Sequence, residues 1–142
     1  MRKLKPLMFS FLLSIAVIGC LDVGEAYQED LNGGYSLLAA DEKDDMILCY
    51  TAGEDRIGIL APTVFGVGQN DSFIIIEQHP LGLDGRPNKA DISYYIIPLK
   101  YRLSKSHDEN FYGPMSSSGF DRKKNELGIN ALAFTIIFKD LE

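Results

Sequence analysis

The chain has 142 residues, a length that suits a single domain. Its 20 acidic residues outnumber the 14 lysines and arginines, and the formal net charge is −6. Because nucleic-acid binding depends on basic side chains that neutralise phosphates, this balance argues against a nucleic-acid partner. It equally argues against adhesion of the protein surface to an anionic membrane, whereas a basic protein would be attracted.

The N-terminus has the features of a removable secretory signal. A basic head, MRKLK, precedes an apolar run over residues 7–18, which is too short to cross a hydrocarbon core of ~30 Å as a helix. The segment Val17-Ile18-Gly19-Cys20 resembles the lipobox of bacterial lipoproteins. This resemblance implies cleavage before Cys20 and a diacylglycerol joined to its sulfur by a thioether.

The lipobox also implies a location in the cell envelope. Leu21, rather than an aspartate, follows the cysteine. The resemblance then implies the outer membrane in a diderm bacterium and the outer face of the plasma membrane in a monoderm. The alternative is an ordinary secreted protein in which Cys20 pairs with Cys49, the second cysteine of the chain. If Cys20 carries lipid, Cys49 is predicted to be buried in its apolar run.

The sequence as a whole is predicted to divide into three segments. Residues 1–19 form the signal peptide, residues 20–32 a polar lipidated tether, and residues 33–142 a single small α+β domain. Strand patterns occur at residues 35–39, 46–51, 56–60, 63–67, 72–78 and 93–99. The continuous apolar run in the fifth of these predicts a central strand that is covered on both faces.

One helix is predicted in the C-terminal half. Ser118 is the expected N-cap, with Asp121 three residues later, and Gly128 is the expected C-terminal stop. Alternating apolar residues then predict a last strand over residues 131–138. We therefore expect a mostly antiparallel sheet of about five to seven strands with this helix packed on it.

Several short motifs follow a recognisable order between residues 33 and 129. They read GGY from residue 33, FIII from residue 73, YYII from residue 94, YGPM from residue 112 and ELGI from residue 126. This order resembles a family of small uncharacterised bacterial proteins, many of them lipoproteins. The resemblance implies a shared fold, and it carries no activity over to this chain.

The sequence contains no recognisable catalytic motif. Both histidines, His79 and His107, fall in predicted loops, where we expect them to be exposed. Neither a Gly-x-Ser-x-Gly elbow nor a His-Glu-x-x-His pair is present, and two isolated histidines do not make a zinc site. We therefore predict no enzyme activity, no cofactor and no metal.

A candidate ligand surface is formed by the 79–91 loop together with aromatic residues of the following strands. Its proposed members are His79, Tyr94, Tyr95 and Tyr112. Tyrosines in strands also serve simply as packing residues, so this alternative stays open.

Two functions are compatible with these patterns. The first is a lipid-anchored, non-enzymatic protein that binds a basic protein partner, for example as an inhibitor or immunity protein. The second is a module that binds a small ligand at the 79–91 loop, which a cleft with several polar groups would favour. An enzyme would instead need a histidine within hydrogen-bond reach of a carboxylate or hydroxyl inside a pocket.

Overall fold

The computed structural model describes residues 27–100 and 111–142. Its described strands form two antiparallel sheets, with the order β1-β2-β3-β4 in the first and β8-β7-β6-β5-β9 in the second. The strands of the first sheet are β1 (Tyr27–Asp30), β2 (Tyr35–Ala39), β3 (Ile47–Ala52) and β4 (Asp55–Leu60). Those of the second are β5 (Val64–Gln69), β6 (Phe73–Gln78), β7 (Ser93–Pro98), β8 (Tyr112–Met115) and β9 (Ile136–Ile137). A helix, α1 (Ser117–Glu126), follows β8.

The first sheet is a meander whose connections are tight turns. A 3-10 turn at Asn32–Gly34 joins β1 to β2, and its two glycines have the positive φ angles that such a turn requires. A second 3-10 turn at Lys43–Asp45 leads into β3. Gly53, with φ 69°, turns the chain from β3 into β4.

The central strand of the second sheet is β6, which pairs with β5 on one side and with β7 on the other. Ile75 lies opposite Ile96, and Ile74 lies opposite Ile97. Because successive side chains of a strand point to opposite faces, these isoleucines supply both faces of the sheet. All four are fully buried, which confirms the prediction of a central strand covered on both sides.

The buried residues fall into two clusters, one on each face of the second sheet. The larger cluster lies between the two sheets and includes Leu37, Leu48, Val67, Ile74, Ile76 and Ile97. The smaller cluster lies between the second sheet and the C-terminal segment, and includes Ile75, Ile96, Phe120 and Ile129. The domain thus has three layers, with the second sheet in the middle.

The predicted α+β class, the antiparallel pairing and the C-terminal helix are confirmed. The strands are divided between two sheets of four and five strands, where the sequence predicted one sheet. The chain passes from the first sheet to the second between β4 and β5. Each sheet buries one face against the other.

The structure differs from the predictions at three strand positions, one of which is β8, where no strand was predicted. Residues predicted as part of the tether form β1, which pairs with β2 as a polar edge strand and packs Tyr27 edge-on against Phe138 at 5.1 Å. A polar edge strand has little of the hydrophobic pattern by which strands are predicted, which explains why β1 was not predicted. The predicted strand over residues 131–138 is reduced to Ile136–Ile137, which pair with β5.

The helix begins earlier than predicted. Ser116, rather than Ser118, is the N-cap, and its hydroxyl accepts a hydrogen bond from the Gly119 N–H at 3.2 Å. Gly128 has φ 68° directly beyond the helix, as predicted.

The signal peptide, the lipobox and Cys20 lie outside the described residues. Within the described ranges, no helix is long and apolar enough to cross a membrane. Cys49 is 2% exposed, which confirms the prediction that its side chain is buried.

Candidate functional site

The 79–91 loop is held by hydrogen bonds between its own residues. The Asn88 N–H donates to the Pro80 carbonyl at 2.8 Å, and the Gly82 N–H donates to the Arg86 carbonyl at 2.7 Å. The Asp84 side chain accepts a bond from the Arg86 N–H at 3.1 Å. Such bonds fix the backbone of a surface loop, so the loop has a defined shape.

The base of the loop is fastened to the second sheet through His79. The His79 N–H donates to the Thr63 carbonyl at 2.9 Å, and the Thr63 N–H donates to the His79 carbonyl at 3.2 Å. Across the loop, the His79 Nδ1 lies 2.9 Å from the Asp91 carbonyl oxygen. The Asn88 side chain adds a bond to the Asp91 carboxylate at 2.8 Å. The two ends of the loop are therefore tied together.

His79 is buried, with 2% of its surface exposed, so the prediction of an exposed loop histidine is wrong for this residue. Its ring stacks on Phe65, with 4.3 Å between centroids. Because a carbonyl oxygen only accepts, the Nδ1 must carry the hydrogen that is shared with Asp91. The buried Nε2 has no hydrogen-bond partner among the described residues. The other histidine, His107, lies outside the described ranges.

Apolar side chains are exposed on and beside the loop. Leu83, at the tip, is wholly exposed to solvent, and Leu81 is 45% exposed. Ile92, just beyond the end of the loop, is 43% exposed. Leu81, Leu83 and Ile92 thus place three exposed apolar side chains on the loop and its flank.

A cleft of about 270 Å³ lies beside the loop. It is lined by Phe65, Glu77, His79, Lys89, Ile92 and Glu142. The loop and its flank contribute His79, Lys89 and Ile92, and the second sheet contributes Phe65 and Glu77. Polar groups from separate parts of the chain thus converge at one place.

The Glu77 carboxylate is half-buried in this cleft. A Cβ on Gly66 would lie only 2.3 Å from Glu77 Oε1, so the absence of a side chain at Gly66 leaves room for the carboxylate. Burial, and then the negative charge of Glu142, raise the pKa of Glu77 above its ordinary value. The folded domain therefore disfavours the charged form of Glu77 relative to its protonated form.

A larger cavity of about 450 Å³ lies at a different end of the sheets. Its lining residues are Asn32, Gly33, Tyr50, Asp71 and Leu99. It brings one carboxylate beside one tyrosine and contains no histidine among its described residues. It therefore holds fewer titratable side chains than the cleft beside the loop.

The three candidate tyrosines do not share one surface. Tyr94 stacks on Phe120 at 4.9 Å, on the helix side of the second sheet. Tyr95, its neighbour in β7, packs instead on the core between the sheets, because adjacent strand residues face opposite ways. Tyr112 lies beneath the Lys123 ammonium at 5.0 Å from the ring centroid. Of the four candidate ligand residues, His79 is the one that lines the cleft.

Sequence reasoning missed the other lining residues. Glu77 carried a weak signal, since it is the first charged residue after the apolar run of β6. Phe65 and Glu142 gave no signal, because they reach the cleft from elements that are distant in sequence. The described residues contain no group of three or more His, Cys, Asp or Glu side chains arranged to hold a metal ion.

Comparison with known proteins gives a family but no activity. A family model described as "protein of unknown function (DUF3997)" matches residues 32–141, which is most of the chain. No curated protein and no solved structure matches the chain. The match agrees with the predicted resemblance to uncharacterised small proteins. It covers every described strand except β1, together with the loop, the cleft lining up to residue 141 and the helix. This chain therefore belongs to the DUF3997 family of proteins of unknown function.

Proposed function

We propose that this protein is a lipid-anchored, non-enzymatic binding protein of the bacterial cell envelope, and that its 79–91 loop recognises a basic protein. The lipobox-like segment that ends at Cys20 supports the anchor. The excess of acidic residues supports a basic partner, because complementary charges accelerate association and disfavour wrong partners. An inhibitor or an immunity protein would work in this way.

The observation that carries this proposal is the exposure of Leu83 at the tip of an ordered loop. Burying a leucine side chain in a complex contributes about 1.5–3 kcal/mol. The internal hydrogen bonds of the loop reduce the conformational entropy that is lost on binding, which leaves more of that energy for affinity. A rigid loop with an apolar tip is therefore suited to insertion into a pocket of another protein.

Site-specific photo-cross-linking in the native membrane tests this function. A photoreactive amino acid replaces Leu83 in the full chain, and the matched control places it at Glu54, an exposed residue in the β3–β4 turn. We expect a discrete adduct from position 83 with a protein of basic isoelectric point, weakened by high salt. The absence of such an adduct, or the same adducts from position 54, would contradict the proposal.

Binding of a small ligand is the second candidate, and the cleft favours it in part. Its volume of about 270 Å³ lies at or below the lower end of the ~300–1,000 Å³ typical of ligand pockets. The cleft is therefore better matched to one inserted side chain than to a complete metabolite. A catalytic role gains no support from His79, because its Nδ1 is bonded to the Asp91 backbone oxygen rather than to a carboxylate or a hydroxyl.

A further inference from the structure

The cleft beside the 79–91 loop is lined mainly by hydrogen-bond acceptors. Two carboxylates, those of Glu77 and Glu142, line it together with His79. The His79 Nδ1 carries its hydrogen toward Asp91, which leaves the Nε2 as an acceptor. This Nε2 is buried and has no donor within the described part of the chain. A buried polar atom without a partner is costly, so the His79 Nε2 lacks a donor.

The charges of the cleft are also unbalanced. Neither Glu77 nor Glu142 belongs to an ion pair of the described residues, and Lys89 on the rim lies beyond ion-pair distance of both. The described charge that acts on the half-buried Glu77 is the negative charge of Glu142, which raises the pKa of Glu77. A bound cation would offset the repulsion between the two carboxylates and the cost of burying one of them.

The shape and surface of the cleft distinguish between cations. Phe65 and His79 are stacked with an angle of 18° between their rings, and both line the cleft. A guanidinium is planar, stacks on aromatic rings and bonds carboxylates in a bidentate manner, whereas an ammonium is a compact and strongly hydrated point charge. A guanidinium also carries five N–H donors and no acceptor, which matches a cleft that is rich in acceptors.

From these features we propose that the cleft binds a guanidinium group, supplied by an arginine side chain of the protein that the 79–91 loop recognises. This inference rests on the proposed binding function and defines the chemistry of the partner. Glu77 and Glu142 accept hydrogen bonds from the guanidinium, and the buried rings of Phe65 and His79 form part of the cleft wall. Leu83 lies in the same loop that contributes His79 and Lys89 to the cleft.

Titration with an arginine analogue tests the cleft without the partner. The full chain in detergent is followed by ¹H–¹⁵N NMR while Nα-acetyl-arginine N-methylamide is added. We expect saturable shifts at Glu77, His79 and Ile92 in the millimolar range. The citrulline analogue has nearly the same shape without the charge, and it should bind at least about tenfold more weakly. The lysine analogue should bind more weakly than arginine as well.

Four charge variants separate the effect of the cleft from that of the protein's net charge. Glu77→Gln should weaken arginine binding about tenfold, because it removes the half-buried carboxylate while it keeps the side-chain size. Glu54→Gln changes the net charge equally at an exposed turn residue and should leave binding unchanged. Glu142→Gln, at an exposed residue, should weaken binding about threefold. Lys89→Met removes the competing cation at the rim and should strengthen binding about threefold.

The guanidinium site and the binding function of the loop can fail independently of each other. Equal binding of arginine and citrulline analogues, absence of saturable shifts, or an unchanged affinity in Glu77→Gln would overturn the guanidinium site. Leu83→Asp should leave arginine-analogue binding unchanged, because Leu83 does not line the cleft. If arginine binds the cleft while position 83 gives no specific cross-link, the loop function fails and the cleft assignment stands.

Discussion

The His79 Nδ1 donates a hydrogen bond of 2.9 Å to the Asp91 backbone oxygen and closes the base of the 79–91 loop. The same imidazole stacks on Phe65 of the second sheet. One buried side chain therefore fixes both the position of the loop on the sheet and the distance between the loop ends. It also forms part of the wall of the neighbouring cleft.

Replacing His79 by phenylalanine should loosen the loop without unfolding the domain. The ring stacking on Phe65 is kept, the bond to Asp91 worth ~1 kcal/mol is lost, and the unpartnered Nε2 disappears, which acts in the opposite direction. We expect little change in Tm and faster hydrogen exchange of the Gly82 and Asn88 amides. Wild-type exchange rates at these amides would show that the loop's own bonds suffice to hold it.

Gly68→Ala should destabilise the domain by about 1–3 kcal/mol. A Cβ at Gly68 would lie 2.1 Å from the Ala133 carbonyl oxygen, so the C-terminal segment would have to move off the sheet. The matched control is Gly58→Ala in β4, where the nearest atom is the Ile47 Cδ1 at 3.9 Å. Denaturant unfolding should show a loss in the first variant and no loss in the second. Equal stabilities would contradict the close packing at Gly68.

Glu77→Gln should raise the stability of the domain at neutral pH. The folded state raises the pKa of Glu77 above 4.5, so the contribution of Glu77 to stability is fully present below that pH and is lost as the pH rises through the raised value. Glutamine resembles the protonated form at every pH. We expect Tm to increase by about 2 °C at pH 7, and the difference from wild type to vanish below about pH 4.

Glu126→Gln is the control with the opposite sign. The hydrogen bond from Lys123 lowers the pKa of Glu126, so its contribution is present above the ordinary pKa and is lost on acidification. This variant should show no gain in Tm at pH 7. A gain in both variants would assign the effect to the net charge instead of the burial of Glu77.

Cys20→Ala should convert a membrane-bound protein into an unacylated one. Intact mass of the wild-type protein from its native membrane fraction should correspond to a chain that begins at Cys20 and carries added acyl groups. The variant should lack that added mass. An unacylated, soluble wild-type product would contradict the lipoprotein proposal and direct attention to a Cys20–Cys49 disulfide.

Strand positions could be predicted from the sequence where a short continuous run of apolar residues is also the buried part of the strand. The run at residues 73–76 is apolar at every position, so it predicted a strand that is covered on both faces. The helix start was less determined, because three consecutive serines from Ser116 to Ser118 all offer a capping hydroxyl. The Gly119 N–H donates its hydrogen bond to the hydroxyl of Ser116, the first of the three.

The candidate site could be predicted only in part. The 79–91 segment was predicted as a turn-rich loop and a possible binding element. The structure shows a loop held by its own hydrogen bonds, and its binding role stays a prediction. The burial of His79 was missed, because its partners Phe65 and Asp91 approach from positions more than ten residues away on either side. The tyrosines were grouped by proximity in sequence, whereas the alternation of β7 separates Tyr94 from Tyr95.

The most direct test of the proposed function is the dissociation constant of the full chain for the protein that cross-links at position 83. Wild type, Leu83→Met and Leu83→Asp are compared in detergent at low and high salt. An apolar anchor at the centre of the interface predicts wild-type affinity for methionine and at least about a 30-fold loss for aspartate. An affinity of Leu83→Asp equal to that of wild type would contradict recognition through the loop.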